Sequence, residues 1–247
     1  MICLDNVTLL GIDTFQPDRT IFALNESKRH IKFASTILIT SRECKFDSSK
    51  TEGISVIYND TIDNFKKVNT FMLFDVGKYV NTEFVMFVEW DGYVLNPNGW
   101  NDKFLECDYI GATWTVDSNY KTWKNLSDIL DLDKGVVGNS GFSIRSKRLI
   151  DFVSSDEYTL KQYDDTSVTN DMFICCKVRR HLIEEGFIFA EPELADTFSA
   201  EIKPYTDQFG WHGFWNKPSL PLDLLFKNQW IKNSDLMTKF MLRAVGK

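Results

Sequence analysis

The sequence predicts an α/β protein with a central, mostly parallel sheet and flanking helices. Over about residues 1–95, short β-rich runs alternate with helical segments, and one run, Phe84 to Val88 (FVMFV), is apolar at every position. A strand apolar throughout has both faces covered, as strands of parallel sheets do, so this one is expected at the centre. Strands joined through helices form parallel neighbours with right-handed crossovers, and ligands bind beyond their carboxyl ends.

Val7 to Ile12 (VTLLGI) is the first expected strand, stopped by Asp13-Thr14. Pro17 and Asp18 open a helix running to about His30, with Pro in the first turn and Asp at the positive end of the dipole. Ser35 to Thr40 and Ile54 to Tyr58 read as further strands. Asp63 to Tyr79 reads as a helix with Phe65, Val68, Phe71, Met72 and Val76 at helical spacing. After Phe84 to Val88 the chain enters Glu89-Trp90-Asp91-Gly92, which the strand-end rule puts on the same rim as Asp13-Thr14. Beyond about residue 95 the elements shorten, with turns at Asn96-Pro97-Asn98-Gly99 and Gly138-Asn139-Ser140-Gly141. Asp171 to Glu185 reads as a helix, and Ser219 to Val245 as one or two amphipathic helices starting near Pro221, with Leu222, Leu225, Phe226 and Trp230 at packing positions. No repeat or Pro/Gly linker divides the chain, so one domain over residues 1–247 is expected, with halves of about 1–95 and 96–217 and terminal helices over about 218–247.

A formal charge of -7 argues against nucleic acid as a partner, because phosphate contacts need clustered cations undiluted by carboxylates. No apolar stretch is long enough to span a membrane, and no basic-then-apolar leader opens the chain. Five cysteines without CxxC spacing read as reduced thiols, which places the protein in a cytoplasm, the host's if the source is viral. Aromatic residues make up 14% of the chain, enough to line pockets for sugars or bases as well as to fill a core.

Four segments carry possible chemistry. In an extended segment residues i and i+2 share a side, so Glu89 and Asp91 can converge on a hard divalent cation; the plain alternative is a polar loop after a buried strand. The Gly-flanked turn 138–141 suits close approach of a ligand to backbone amides, or is an ordinary hairpin turn. His212, between Gly210-Trp211 and Gly213, is a candidate metal ligand or a structural histidine. Asp171, at a helix start, serves catalysis or the helix dipole equally well.

In combination and in this order, these segments resemble a family of uncharacterised domains related to GT-A-fold glycosyltransferases, found in bacteria and large viruses. The resemblance runs from VTLLGIDT through FVMFVEWDGYVLNPNGW, DYIGATW, VGNSGFSIRS and the FSAE stretch to FGWHGFWN. It implies a GT-A-like, nucleotide-diphospho-sugar transferase fold and a metal-dependent transfer of a sugar from a nucleotide-diphosphate donor to a hydroxyl acceptor on a glycan or related molecule. By resemblance, Asp91, Glu89 and His212 hold Mn²⁺ or Mg²⁺, and Asp171 is the base of an inverting displacement. Asp13, Thr14, Glu89, Trp90, Asn139, Ser140 and Gly141 surround the donor. The chain departs from the family pattern at Glu89, more often Gln, at Ser140, usually Gly, and at Asn170, where an acid commonly precedes the base. Those changes motivate an alternative, a catalytically silent nucleotide- or carbohydrate-binding module of the same fold. A nucleotidyltransferase would need a glycine-rich basic loop after the first strand, which Gly11-Ile12-Asp13-Thr14 does not supply.

Overall fold

Strand β1 (Ile2–Ile12) lies between β2 (Ile31–Thr40) and β4 (Phe84–Val88), and β3 (Ser55–Tyr58) flanks β2, all in parallel. The computed structural model that shows this describes residues 1–115, 135–163 and 169–232. On the far side of β4 run the antiparallel β9 (Phe142–Ser146) and then β6 (Tyr109–Ile110), which completes a six-stranded sheet in the order β3-β2-β1-β4-β9-β6. Phe84–Val88 is therefore interior, as its apolar run predicts.

The two faces of this sheet separate by residue parity. Leu9, Met86, Val88, Phe142 and Ile144 pack into one buried cluster, while Leu10, Val85 and Phe87 pack into another with Phe71, Met72 and Ile150. Each fully buried side chain of this size contributes roughly 1.5–3 kcal/mol. Strand β1 begins five residues earlier than the sequence predicts, at Ile2 rather than Val7. The cause is that β4 pairs with it only from Val7 onward, so its first residues are covered on one edge alone and carry no continuous apolar run.

Two smaller sheets sit beyond the carboxyl end of β4. Strand β5 (Gly92–Val94) pairs antiparallel with β11 (Gly210–His212), which pairs in turn with β10 (Ser199–Ala200). Strands β7 (Ala112–Trp114) and β8 (Val136–Gly138) form an antiparallel pair of their own. The turn at 138–141 thus passes the chain from one sheet to another and is not a hairpin.

Helix α1 (Pro17–Lys28) starts on the expected proline. The expected helix from Asp63 to Tyr79 is α2 (Phe65–Phe74) followed by a 3₁₀ turn, Val76–Tyr79, with the break at Asp75, whose φ of -120° is not helical. The expected helix from Asp171 to Glu185 is likewise interrupted: a turn, Asn170–Met172, runs into a π-helical segment, Phe173–Lys177, and regular helix resumes only at Arg179–Glu184. Phe173, Ile174, Cys175 and Cys176 are all buried, so this segment is enclosed on every side and carries no one-sided stripe. Leu222–Lys227 and Gln229–Lys232 begin the terminal helices after Pro221; the rest of that expectation, 233–247, lies outside the described residues. All five cysteines are free, and no helix among the described residues is long and apolar enough to cross a membrane.

Buried Asp108 joins three of these elements. Its carboxylate accepts from Ser146 Oγ at 2.6 Å, Arg148 Nε at 2.7 Å and the backbone N–H of Ile188 at 2.8 Å, at the point where β9 passes into helix α3 (Lys147–Ser155). Removing the carboxylate leaves buried Ser146 and two partly solvent-exposed donors, Arg148 and the Ile188 amide, without their acceptor and unties three elements at once. Asp108→Ala is expected to cost about 3 kcal/mol in urea unfolding without changing metal binding in the protein that remains folded; a loss under about 0.5 kcal/mol contradicts this role.

Candidate active site

Beyond β4 the chain reverses at once: Gly92 N–H donates to Glu89 O at 3.0 Å, and Glu89 N–H donates to Gly141 O at 2.8 Å. Glu89 and Asp91 therefore converge through a tight turn, not along an extended segment as the sequence spacing implies. Asp91 is fixed from the other side, its Oδ2 accepting from Phe214 N–H at 2.9 Å and its carbonyl from Gly213 N–H at 2.9 Å. Pairing of β5 with β11 sets His212 opposite Gly92. The result is a cluster in which one ligand atom each of Glu89, Asp91 and His212 lie within 4.8 Å of one another. His212 Nε2 is 3.9 Å from Asp91 Oδ1 and 4.0 Å from Glu89 Oε2.

The other imidazole nitrogen is held by a residue to which the sequence assigned no role. His212 Nδ1 lies 3.0 Å from Glu201 Oε1, while Glu201 Oε2 accepts from Trp114 Nε1 at 2.6 Å. A carboxylate on one ring nitrogen orients the ring and directs the second nitrogen outward, as at metal-binding histidines. Glycines make room for this ring. A Cβ on Gly141 would lie 2.1 Å from His212 Nε2, and one on Gly92 would meet Gly141 O at 2.5 Å and His212 Cδ2 at 2.8 Å.

These contacts reassign the 138–141 turn. Asn139, in the left-handed region at φ 82°, accepts from Gly141 N–H at 2.7 Å, so that amide closes the loop and is not offered to a ligand. Ser140 Oγ donates to Glu89 Oε1 at 3.4 Å. On the neighbouring strand end, Asp13 spends both oxygens inside its own loop, accepting from the N–H groups of Phe15 and Gln16 and from Arg19 Nε and Thr20 Oγ1. It shapes the loop and leaves no oxygen over for a donor. Thr14 keeps a buried hydroxyl with no partner, and Arg19 lies over the Trp90 ring, 5.0 Å from its centroid. Trp90 also stacks on Phe214 at 5.5 Å. Asn228 ties the terminal helices to this turn, donating to Trp90 O at 3.5 Å and Tyr93 Oη at 3.3 Å; sequence reading gave no sign of it.

Asp171 stands beside the cluster in a cavity of ≈ 320 Å³ lined by Trp114, Thr169, Met172, Glu201 and Ile202. Its Oδ1 accepts from Met172 N–H at 2.9 Å. Larger hollows of ≈ 520 Å³ and ≈ 610 Å³ lie elsewhere, and neither contains the convergent ligand atoms. Burial pushes the Glu89 carboxyl up to about 7, with His212 opposing and the charges of Asp91 and Asp171 adding to the rise. Burial likewise raises Asp171, against a hydrogen bond from Thr169 and with the charge of Glu201 adding. For His212 burial disfavours the imidazolium, but the hydrogen bond to Glu201 and the charges of Asp91, Glu201 and Glu89 outweigh it, and its pKa rises to about 10. Such a site, with carboxylates crowded around one imidazole, has the donor set and the excess negative charge that a divalent cation neutralises.

The fold is the GT-A fold of nucleotide-sugar glycosyltransferases. It is similar to the galactosyltransferase LgtC, crystallised with donor and acceptor sugar analogs, with a TM-score of 0.53 at 10% identity over 83% of this chain and 86% of that one. The mannosyltransferase PcManGT from Pyrobaculum calidifontis, in complex with GDP-Man and Mn²⁺, gives a TM-score of 0.45 at 6% identity over 76% of this chain and 54% of that one. By sequence the chain belongs to the family described as "Protein of unknown function (DUF5672)", which matches residues 53–212 and so includes Glu89, Asp91, Asp171, Glu201 and His212. None of the curated proteins matches it.

Two substitutions test the geometry without turnover. Glu201→Gln is expected to weaken Mn²⁺ binding about 10–100-fold by calorimetry in a protein that keeps its circular dichroism. Gly141→Ala is expected to abolish it by displacing the ring. Wild-type affinity in both variants would show that the orientation of His212 does not govern the site.

Proposed function

We propose that this protein is a metal-dependent glycosyltransferase that moves a sugar from a nucleotide-diphosphate donor to a hydroxyl acceptor on a glycan or related molecule. The observation that carries this reading is the convergence of Glu89, Asp91 and His212 at the carboxyl end of a central parallel strand, with Asp171 in an adjoining cavity. Mn²⁺ or Mg²⁺ would suit the mixed carboxylate and imidazole set, with Glu89, Asp91 and His212 to hold it. When bound, the cation supplies charge that stabilises the departing diphosphate.

The chain's own residues do the rest. Asp91, fixed by two backbone amides, presents Oδ1 to the cluster; His212, fixed by Glu201, presents Nε2. Thr14 offers its free hydroxyl at the end of β1, while the Trp90 ring packs between Phe214 and the Arg19 guanidinium. Asp171 accepts the proton from the acceptor hydroxyl as that oxygen attacks the anomeric carbon and the bond to the diphosphate breaks, so the anomeric centre inverts. Its raised pKa strengthens it as a base.

The silent-module alternative rested partly on Asn170. Its side chain accepts from Arg145 Nη2 at 2.6 Å and donates to Asn69 Oδ1 at 2.8 Å, so it anchors the turn that carries Asp171. The departure there is met by structural partners, so by itself it carries no argument for a silent module.

Nucleotide release from a panel of nucleotide sugars with Mn²⁺ tests the reading. At least one donor is expected to be turned over, with Asp91→Ala and Asp171→Asn each lowering kcat by about 10²–10⁴-fold while remaining folded. Full activity in both variants removes the site assignment, and no turnover of any donor removes the reading. Metal affinity should also rise with pH. Glu89 must lose its proton near pH 7 and His212 must release its own to bind through Nε2. Between about pH 7 and 9 the Mn²⁺ association constant is expected to increase about tenfold per unit, read by calorimetry in two buffers of different ionisation heat. A flat profile contradicts the coupling.

A further inference from the structure

Behind Asp171 the core holds a charge that the metal cluster does not use. Arg145 stands on β9 and is wholly buried. Its Nη2 donates to Asn170 Oδ1 at 2.6 Å, its Nε and Nη1 have no partner, and among the described residues no carboxylate reaches it at salt-bridge distance. A guanidinium does not escape burial by shedding its proton, so the full charge stays in the core. The rings of Phe87 and Tyr109, with centres 4.7 Å and 5.1 Å away, offset part of the cost and do not cancel the charge.

What faces this charge across the turn at 170–171 decides its effect. Asn170 is a neutral link: its oxygen accepts from Arg145, while its amide nitrogen donates to Asn69 Oδ1 at 2.8 Å and lies 3.5 Å from Met72 Sδ. The titratable groups around Asp171 fall into two sets. Tyr109 on β6 and Cys175 and Cys176 in the π-helical segment are pushed up by burial, Cys175 to about 12, and stay neutral near pH 7. Glu89 after β4 and Glu201 after β10 are carboxyl groups whose negative charges oppose ionisation of Asp171. Against burial, the largest influence, and against those charges stand hydrogen bonds from Thr169 and Met172 and the charge of Arg145. Arg179, a second buried guanidinium, lies 4.1 Å from the centre of Phe189 and acts on the two cysteines.

We propose that Arg145 is a positioning residue for Asp171, holding its turn in place through Asn170 and supplying, without a direct ion pair, the positive charge that keeps its carboxylate ionised beside two other acids. That Asp171 is a base rests on the transferase reading; the action of Arg145 on it rests on the core alone. Without that charge Asp171 takes up its proton at higher pH, and less of it is free to accept one from a hydroxyl.

The experiment follows the Asp171 carboxyl carbon through a pH titration in ¹³C spectra of aspartate-labelled protein kept metal-free, with the signal assigned by Asp171→Asn. Wild type is compared with Arg145→Gln and Arg145→Lys. Both substitutions shorten the side chain and keep a donor for Asn170, but only Gln removes the charge, and folds often tolerate exchange of a buried charge for a neutral group. The midpoint in Arg145→Gln is expected about one pH unit above that of wild type, and in Arg145→Lys within about 0.4 of it. Glu89 and Glu201 are common to all three proteins and do not enter the difference. With any donor that is turned over, the acid limb of kcat is expected to move in Arg145→Gln and to stay in Arg145→Lys. A second reading needs no Arg145 variant. The wild-type Arg145 Nε–H signal, identified by its contacts to the Phe87 and Tyr109 rings, is expected to shift with the Asp171 midpoint and to lose that step in Asp171→Asn; where Arg145→Gln fails to fold, this signal decides alone. An unmoved midpoint in Arg145→Gln, an equal rise in the Gln and Lys variants, or an Arg145 signal indifferent to Asp171 each overturn the proposal. Turnover with an Asp171 midpoint unmoved by Arg145→Gln removes this proposal alone, while a midpoint that follows the charge with no donor turned over removes the transferase reading alone.

Discussion

The imidazole of His212 occupies a slot that exists only because positions 92 and 141 carry no side chain, and the rest of the site is arranged around it. Pairing of β5 with β11 sets its backbone opposite Gly92, and Glu201 sets its ring. The turn after β4 then brings two carboxylates to the nitrogen that remains. Because β4 is held on both edges within a buried sheet, that turn starts from a fixed point, and a rigid strand end is what a cation site of defined geometry requires.

The second half of the site is held from the opposite direction. Arg145 projects from β9 into the core, without a carboxylate at salt-bridge distance among the described residues, over the rings of Phe87 and Tyr109. Its hydrogen bond to Asn170, together with the bond from Asn170 N–H to Asn69 Oδ1 at 2.7 Å, fastens the turn that carries Asp171 to the sheet and to α2. A buried guanidinium left partly unsatisfied is costly, and the cost here is partly offset by cation–π contacts. Asp171 is thus tied to β9 through Arg145, Glu89 and Asp91 follow β4 and His212 ends β11, and Glu201 reaches both parts, touching His212 and lining the cavity of Asp171.

Much of this was legible in the sequence where a local pattern had one structural cause. The apolar run at 84–88 gave the central strand, and the strand-end rule put Asp13-Thr14 and Glu89-Trp90-Asp91 on one rim, where parallel β1 and β4 leave them. The convergence of Glu89, Asp91 and His212 followed from resemblance, and its geometric cause, a tight turn plus a long-range strand pairing, has no local signature. Glu201 ends the FSAE stretch, yet a glutamate after FSA says nothing by itself about an imidazole eleven residues away. A strand-end acid facing a ligand and one capping a loop look alike in sequence, and only the partners at Phe15, Gln16, Arg19 and Thr20 show that Asp13 caps its own loop. The helical segment expected from Asp171 is present but interrupted, and the π-helical stretch at Phe173–Lys177 has no local signature because its composition suits a regular helix equally well.

The central claim is that Glu89, Asp91 and His212 bind one divalent cation that in turn binds a nucleoside diphosphate. Diffraction from crystals soaked with Mn²⁺ and UDP or GDP, with an anomalous difference map at the manganese edge, tests it most directly. A single strong peak at about 2.0–2.3 Å from Asp91 Oδ1 and His212 Nε2, bridging to the diphosphate, is the result expected. A peak elsewhere, or a diphosphate bound with no metal between those residues, would contradict it.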